Sequence, residues 1–522
     1  MRLLNSPRSI VHWATFAGLI SIALLLRVSG FQGYSDSDPR DYAILANDLA
    51  HGTLQLPSYD GPPVFPLRLG VYGPIAILVK AFGRSELTLV VYPFLLSIAG
   101  LFLAYALARI LYGPLAGLLA IGLLAALPTD VSMASRLYPD AIAAFWANVA
   151  VLLTYLGLTK TRPYHCSAYA LLAGLFFGIS WLCKESVAYL VPFVGILVLC
   201  LHREAPLRIR LVCLISLGIG SIAVLSAEVL SCHAIAGDPL FHFHAVERNY
   251  QTTAVWFFDQ SSPYFGWENG HFAKALAKRL IVDGPREILL SFRALPAFAA
   301  LALAWRVIFR EYRCAMPGIW LVSLALMFGY ASSSFEHYRP LPTFERYLYP
   351  LLLPSVLLFA SFLAGLLLSG SDCPARRERA FWAWALIVAY LAHSASALPA
   401  VLWSRPERTE REVAAKVDGT DIVYTDYRTA SSLVFFRTGS LSPSTATTIP
   451  YENIDAEAME AGAYVLLDND MTDFLVRSYD YRPPPFVHAP PQTWRRVWAD
   501  GVSILFQIPR ALGGQGSQAD RQ

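Results

Sequence analysis

Four aspartates lie close together in the stretch GYSDSDPRDYAILANDLAHGTL, namely Asp36, Asp38, Asp41 and Asp48. This stretch directly follows an apolar segment that is long enough to cross a membrane. Further charged residues stand at the ends of other apolar segments: Arg136, Asp140, Lys184, Glu185, Glu345 and Arg346. A lone charge at depth in a bilayer costs about 2.5–3.5 kcal/mol, so charges in such places tend to be paired and functional. The pattern predicts a site that combines carboxylates with several cations beside lipid.

Such a site suits one reaction class in particular. Cations can bind a lipid-linked phosphate and stabilise it as it leaves, and a carboxylate can take the proton from an attacking hydroxyl. A phosphate leaving group needs no acid to protonate it, so one base and several cations are sufficient. These residue types therefore predict glycosyl transfer from a polyprenyl-phosphate sugar by a single, inverting displacement.

The elements that must position these charges are membrane helices. Of the 522 residues, 55% are hydrophobic and only 15% are charged, which is far more apolar than a water-soluble fold needs. Runs of roughly 20 apolar residues predict about eleven transmembrane helices. They are expected at 11–29, 86–108, 110–129, 139–159, 166–183, 186–201, 211–232, 287–305, 314–335, 347–370 and 380–403.

The basic residues predict the orientation of these helices. Arginine and lysine are concentrated in alternate short loops, which the positive-inside rule places in the cytoplasm together with the N terminus. The longer loops 30–85 and 233–286 then lie on the outer side, and an odd number of helices puts the C-terminal region there as well. We therefore expect a multi-pass protein of the inner (plasma) membrane.

Two further regions have their own patterns. In the first outer loop, small or apolar residues recur with helical spacing from Pro39 to Gly52, and 68–83 reads as a second interfacial helix. After the membrane domain, 1–403, strand-like runs at 421–426, 463–468 and 502–508 alternate with helical runs at 428–437 and 471–479. This alternation predicts a small α/β domain over 404–510, and the Gly- and Gln-rich residues 511–522 are expected to be disordered.

Several motifs also resemble a known family. DPRDY at 38–42, followed by Ala46, Leu49 and Gly52, is similar to a signature of the membrane-embedded GT-C glycosyltransferases, which include protein O-mannosyltransferases and lipid A aminoarabinose transferases. Five more segments resemble the family in the same order: RLGVYGPIAILVKAFG, SRLYPDAIAAFW, GLFFGISWLCKES, GDPL and ERYLYPLLLP. The resemblance implies a GT-C fold, a polyprenyl-phosphate sugar donor and a lipid, glycan or protein acceptor.

The resemblance also implies roles for individual residues. It makes Asp38 the general base, four positions before Tyr42 of the same signature, with Asp36 close enough to be the alternative. Lys184 and Arg346 would contact the donor phosphate, and Arg136 is a further candidate. Asp140 could position the acceptor, ligate a metal or cap its helix. We expect Asp38, Lys184 and Arg346 to line one cavity.

Other readings of these residues remain open. Lys184 and Arg346 could instead pair with their chain neighbours Glu185 and Glu345. His242 and His244 could share one face of a strand, but two imidazoles without a third ligand are a weak metal signal, so no metal is assigned and a divalent ion is left open. A membrane transporter or flippase is the alternative function, and nothing in the charge pattern suggests a nucleic-acid partner.

Overall fold

The structure is a computed structural model that describes residues 7–35, 37–54, 64–252, 272–308, 315–332, 338–368, 375–403, 407–452, 454–479 and 481–509. The chain divides into two compact units. The membrane unit consists of Met1–Gly33 and Leu45–Ser404, and the C-terminal unit consists of Tyr34–Ile44 and Arg405–Gln522. A short piece of the first predicted outer loop is therefore grouped with the α/β domain rather than with the helices that flank it in sequence.

The membrane unit is built from α-helices joined by short 3-10 and π-helical turns. Its helices are α1 (Pro7–Ser29), α2 (Asp38–His51, which includes residues of both units), α3 (Leu69–Phe82), α4 (Glu86–Tyr112), α5 (Pro114–Ala125), α6 (Pro128–Met133), α7 (Pro139–Leu158), α8 (Pro163–Cys183), α9 (Val191–Ile196), α10 (Leu207–Ala236), α11 (Phe241–Thr252), α12 (Phe272–Lys278), α13 (Gly284–Ile308), α14 (Ala315–Tyr330), α15 (Leu352–Leu368), α16 (Ala375–Ala395) and α17 (Leu398–Trp403).

Eight helices in the described ranges are long and apolar enough to cross a membrane. They correspond to eight of the predicted spans. The other three predicted spans coincide with shorter apolar helices, Pro114–Ala125, Glu185–Leu201 and Ala315–Tyr330. The two segments predicted as interfacial helices are helical, as α2 and α3.

Small residues and helix caps explain how the helices around the site begin and pack. Proline opens α7 and α8, where its missing N–H would have had no intrahelical partner. Gly174 of α8 and Gly220 of α10 let these helices touch: a Cβ on Gly174 would lie 2.1 Å from the carbonyl oxygen of Leu217. Such contacts through small residues are a common way to join membrane helices. They fix α8, which ends at the predicted site residue Lys184.

Helix α13 is interrupted in its middle. Ser291 is extended, and Phe292, Arg293 and Ala294 follow with φ values of 51°, 58° and 58°. The break is held from outside, because the backbone N–H of Phe292 donates a hydrogen bond of 2.8 Å to Glu345 Oε1. Three consecutive left-handed residues without glycine are unfavourable, so the surrounding contacts must impose this turn.

The C-terminal unit contains a five-stranded mixed sheet. Its helices are α18 (Arg408–Lys416), α19 (Tyr427–Thr438), α20 (Asn469–Tyr479) and α21 (Pro485–His488), and its strands are β1 (Val423–Thr425), β2 (Thr448–Pro450), β3 (Tyr464–Asp468), β4 (Arg495–Ala499) and β5 (Ser503–Gln507). The strand order is β2-β1-β3-β5-β4. β1 is parallel to β2 and β3, whereas β5 is antiparallel to β3 and β4. The sequence predicts β1, β3 and β5 with their helices, but it does not predict β2 and β4.

Apolar side chains in the described part of the C-terminal unit pack in clusters, two of which involve the sheet. In one, Val413 of α18 and Leu433 of α19 pack with Val423 of β1 and Leu466 of β3. The other cluster includes Tyr451, Phe486 and Trp494. The predicted disordered tail, 511–522, lies outside the described residues.

Candidate active site

Asp140 and Lys184, which are 44 residues apart in sequence, form an ion pair in the membrane unit. Asp140 is the second residue of α7, and Lys184 is the C-cap of α8. Both residues are more than nine-tenths buried. The pair excludes two simpler readings of these residues. The Asp140 carboxylate accepts its hydrogen bond from Lys184 rather than capping a helix, and Glu185 pairs with Arg68 at 3.6 Å instead of with Lys184.

Arg346 and Arg136 join Lys184 around two tyrosine rings. The Lys184 Nζ atom lies 3.7 Å from the ring centroid of Tyr347. The Arg346 guanidinium lies 5.1 Å from the ring centroids of both Tyr347 and Tyr138, and Arg136 lies 6.0 Å from that of Tyr138. All these distances are within the range of a cation–π interaction. We call Lys184, Arg346, Arg136, Tyr138 and Tyr347 the cation cluster.

The side chains beside the cation cluster leave Arg346 without a salt bridge to its chain neighbour. Both hydrogen bonds of Glu345 are to Oε1, which accepts from Thr129 Oγ1 at 2.6 Å and from the backbone N–H of Phe292 at 2.8 Å. The described side chains do not form the Arg346–Glu345 salt bridge of the alternative reading. Within the cluster, the Lys184 ammonium contacts the Asp140 carboxylate, and the two guanidinium groups lie beside the same tyrosine rings as that ammonium.

A small cavity opens beside the Asp140–Lys184 pair. Tyr347 of the cation cluster lines it, and α7 and α14 supply most of its apolar wall. Three further polar side chains line it: Asn148, Ser186 and Trp320. The Trp320 residue is 1% exposed and its indole N–H has no partner among the described residues. A buried donor without a partner is costly, so this wall can offer a hydrogen bond to a bound ligand.

A second polar group, which the sequence does not predict, lies nearby in the same unit. Arg27 at the end of α1 forms an ion pair with Asp130 of α6, and Tyr349 donates a hydrogen bond to the same carboxylate. Asp130 lines a second, larger cavity, and Asn148 lines both cavities. The only sequence signal for this group is a charge inside an apolar run.

The residues expected to include the base belong to the C-terminal unit. Asp38 is the first residue of α2 and is partly exposed, whereas Tyr42 on the next turn is fully buried. Asp36 lies outside the described residues. Lys184 and Arg346 both lie beside the ring of Tyr347, and the expectation that they line one cavity with Asp38 stays a prediction.

The two histidines of the second predicted outer loop each pair with a carboxylate. His242 Nδ1 lies 2.7 Å from Glu228 Oε1, and His244 Nδ1 lies 2.7 Å from Asp238 Oδ2. Burial alone would lower the pKa of His242, but the hydrogen bond and charge of Glu228 outweigh it and raise that pKa. The two residues lie on helix α11 rather than on a strand. In the described part of the chain, no three His, Cys, Asp or Glu side chains are grouped so that they could hold a metal ion.

Known proteins resemble this chain in sequence over one part and in fold over most of its length. Residues 66–228 match the model of the dolichyl-phosphate-mannose-protein mannosyltransferase family, and this stretch includes Arg136, Asp140 and Lys184. No curated protein has a sequence that matches the chain.

Two solved structures illustrate the likeness in fold. The oligosaccharyltransferase of Archaeoglobus fulgidus, in the apo form, has a TM-score of 0.54 at 13% identity, over 88% of this chain and 70% of that one. ArnT from Cupriavidus metallidurans bound to undecaprenyl phosphate has a TM-score of 0.48 at 13% identity, over 94% of this chain and 97% of that one. Together with the family match, the first likeness confirms the predicted GT-C fold of a multi-pass membrane protein.

Proposed function

We propose that the chain is a membrane glycosyltransferase that moves a sugar from a polyprenyl-phosphate donor to a lipid, glycan or protein acceptor. The observation that carries this proposal is the cation cluster beside the Asp140–Lys184 cavity. The family model that matches residues 66–228 is named for a lipid-phosphate sugar, which supports a donor of that class. We place the reaction at the outer face of the inner membrane, where nucleotide sugars are absent.

In this proposal, the cations hold the donor phosphate. Lys184 and Arg346 bind its oxygens, and Arg136 adds positive charge at the same place. The ion pair with Asp140 keeps Lys184 oriented before the donor arrives. Preorganised cations stabilise the negative charge that grows on the phosphate as it leaves, and such interactions are worth most where water is excluded.

The base in this proposal is Asp38, with Asp36 as the alternative. An acceptor O–H or N–H gives its proton to the carboxylate while the acceptor atom attacks the anomeric carbon. The bond from that carbon to the phosphate oxygen breaks, and the phosphate keeps the electron pair. One displacement inverts the configuration at the anomeric carbon.

Replacement of the base tests the proposal. We expect Asp38→Asn to lower turnover by about 10²–10⁴-fold while donor lipid still binds, as measured with purified protein in proteoliposomes. Asp48→Asn, the same chemical change about three turns further along α2, is the matched control and should keep its activity. The same assay with and without a chelator tests the divalent metal that the sequence leaves open.

Mass spectrometry of surface glycans and lipids gives the cellular test. Cells with the wild-type protein should contain glycosylated products that cells with Asp38→Asn lack. Identical profiles at equal expression, repeated with Asp36→Asn, would contradict a transferase that uses either carboxylate.

A transporter of a lipid-linked substrate is the second candidate, and one observation favours it. The break in α13 at Ser291–Ala294 is of a kind that transporters use at their binding sites. The two functions are separable in proteoliposomes, because a transporter would move the labelled lipid across the bilayer without any covalent product.

A further inference from the structure

The segment that carries Asp38 is fastened to the C-terminal domain by an aromatic contact. The ring of Tyr34, four residues before Asp38, stacks on the ring of Phe435 in α19, with centroids 3.9 Å apart and planes at 20°. The neighbouring Phe436 meets the Tyr34 ring edge-on at 6.0 Å. Tyr34 is only 2% exposed, so this residue, which lies outside the helices and strands, is as buried as a core residue.

A second helix of the same domain forms a hydrogen bond with the Tyr34 backbone. Arg411 of α18 donates a hydrogen bond from Nη2 to the Tyr34 carbonyl oxygen at 3.4 Å. Its guanidinium also lies 4.2 Å from the ring centroid of Phe436. Tyr34 therefore contacts both helices: α19 through its ring and α18 through its backbone carbonyl.

The helices that make these contacts are themselves rigidly placed. Asp426 caps α19 by accepting hydrogen bonds from two backbone N–H groups of its first turn. Leu433 of α19 and Val413 of α18 are fully buried in the cluster that covers the sheet. Phe435 is 5% exposed and Phe436 is partly buried. Both rings contact the ring of Tyr34.

We propose that the C-terminal α/β domain positions the catalytic loop, with Phe435 and Arg411 as positioning residues that act on Asp38 through Tyr34. This inference rests on the proposed function, because it takes Asp38 as the base. Three residues of chain separate Tyr34 from Asp38, and α2 begins at Asp38 itself. Fixing Tyr34 therefore fixes the point at which the helix carrying the carboxylate starts, and a displacement of about 1 Å can cost about 10²-fold in rate.

Phe435→Leu in the full-length protein, reconstituted in nanodiscs, tests the proposal. Leucine keeps an apolar side chain but removes the stacked ring. We expect amide hydrogen exchange over residues 34–44 to rise about tenfold or more, with exchange in the strands unchanged. We also expect kcat to fall about 10–100-fold while KM for the donor changes less than twofold. Phe435→Tyr, which keeps the ring, should restore both values.

A matched control separates positioning from a general effect of losing an aromatic residue. Phe474→Leu removes a partly exposed ring from α20 of the same domain, and it should leave both exchange at 34–44 and kcat near their wild-type values. Arg411→Gln, which weakens the second contact, should act in the same direction as Phe435→Leu.

The outcomes distinguish this inference from the proposed function. Unchanged exchange at 34–44 in Phe435→Leu would overturn the positioning role, whatever happens to activity. Faster exchange with unchanged kcat would also overturn it, since the loop would then move without consequence for the reaction. Full activity of Asp38→Asn, together with faster exchange at 34–44 in Phe435→Leu, would contradict the assignment of the base. The contact between the C-terminal domain and the loop would still be supported.

Discussion

Two buried ion pairs in the membrane unit differ in how completely their polar atoms are used. In the Arg27–Asp130 pair, each of the three arginine nitrogens donates a hydrogen bond, to Ser97, Ala23 and Asp130. Both oxygens of Asp130 accept one, from Arg27 and Tyr349. The Asp140–Lys184 pair has one hydrogen bond, and the ammonium otherwise faces the ring of Tyr347.

This difference indicates what each pair is for. The Arg27–Asp130 pair, in which every nitrogen and oxygen already has a protein partner, is suited to stabilising the arrangement of its helices. An unsaturated pair beside a cavity costs more to bury, and that cost is repaid when a ligand completes its hydrogen bonds. The Arg27–Asp130 and Asp140–Lys184 pairs are alike in burial and in charge. Their number of hydrogen bonds is therefore a better guide to function than either property.

The largest effect is expected at the saturated pair. Arg27→Met leaves Asp130 buried without its cation, which should cost about 3–5 kcal/mol of stability and appear as a lower thermal midpoint and a lower folded yield. The double variant Arg27→Met with Asp130→Leu should recover part of this loss, because no charge is left unpaired. A double variant as unstable as the single one would contradict a purely structural role.

At the unsaturated pair, activity should suffer more than stability. Lys184→Gln removes a cation from the proposed phosphate site, and we expect turnover to fall about 10²–10³-fold, with a smaller change in the thermal midpoint than Arg27→Met produces. Lys80→Gln, the same change at an exposed position of α3, is the control. Wild-type turnover in Lys184→Gln would remove the lysine from the site.

A third buried carboxylate sharpens the comparison because it contacts no cation among the described residues. Asp426 in the C-terminal unit is fully buried, and its Oδ2 atom has no partner there. Burial raises the pKa of Asp426 from 3.8 to about 6. The folded state then binds the proton more tightly than the unfolded state, so stability falls as the pH rises from about 4 to about 6.

Asp426→Asn removes this titration while keeping a good helix cap. We expect the variant to gain stability relative to the wild type as the pH rises through that window, by up to about 3 kcal/mol above pH 6. Thermal unfolding of the full-length protein at pH 4.5 and pH 7.5 measures the difference. A gain that is equal at both pH values would show that the carboxylate does not titrate as described.

The smallest effect is expected at the ring between the cations. Tyr347→Leu removes a cation–π partner of both Lys184 and Arg346, an interaction worth about 0.5–2 kcal/mol, so donor affinity should fall about 2–30-fold. Tyr347→Phe keeps the ring and should stay close to wild type. A large loss in Tyr347→Phe would instead assign a role to the hydroxyl.

Part of the membrane unit could be predicted from the sequence. Apolar runs locate the helices, because hydrocarbon thickness sets their length, and the charges at their ends identify Lys184, Arg346 and Asp140 as residues that meet. Which acid pairs with which cation could not be read in this way. The alternative reading pairs Lys184 with its chain neighbour Glu185, whereas in the structure Lys184 pairs with Asp140, which is 44 residues away.

The C-terminal domain shows a similar limit. The predicted strands, β1, β3 and β5, are the three in the middle of the sheet, whose buried residues give them continuous apolar runs. The missed strands are the two edges: β2 has three residues and ends at Pro450, and β4 begins with two arginines. Edge strands are often short, charged or proline-containing, which prevents them from pairing with other chains. The same composition makes them hard to recognise as strands in the sequence.

The interrupted helix α13 contains a position at which one substitution should raise the thermostability of the protein. Ala294 adopts φ 58°, a conformation that costs an L-residue about 1–2 kcal/mol but costs glycine almost nothing. In most helices a change from alanine to glycine loosens the fold. At this one turn the same change should tighten it, so thermostability can be gained by taking a methyl group away.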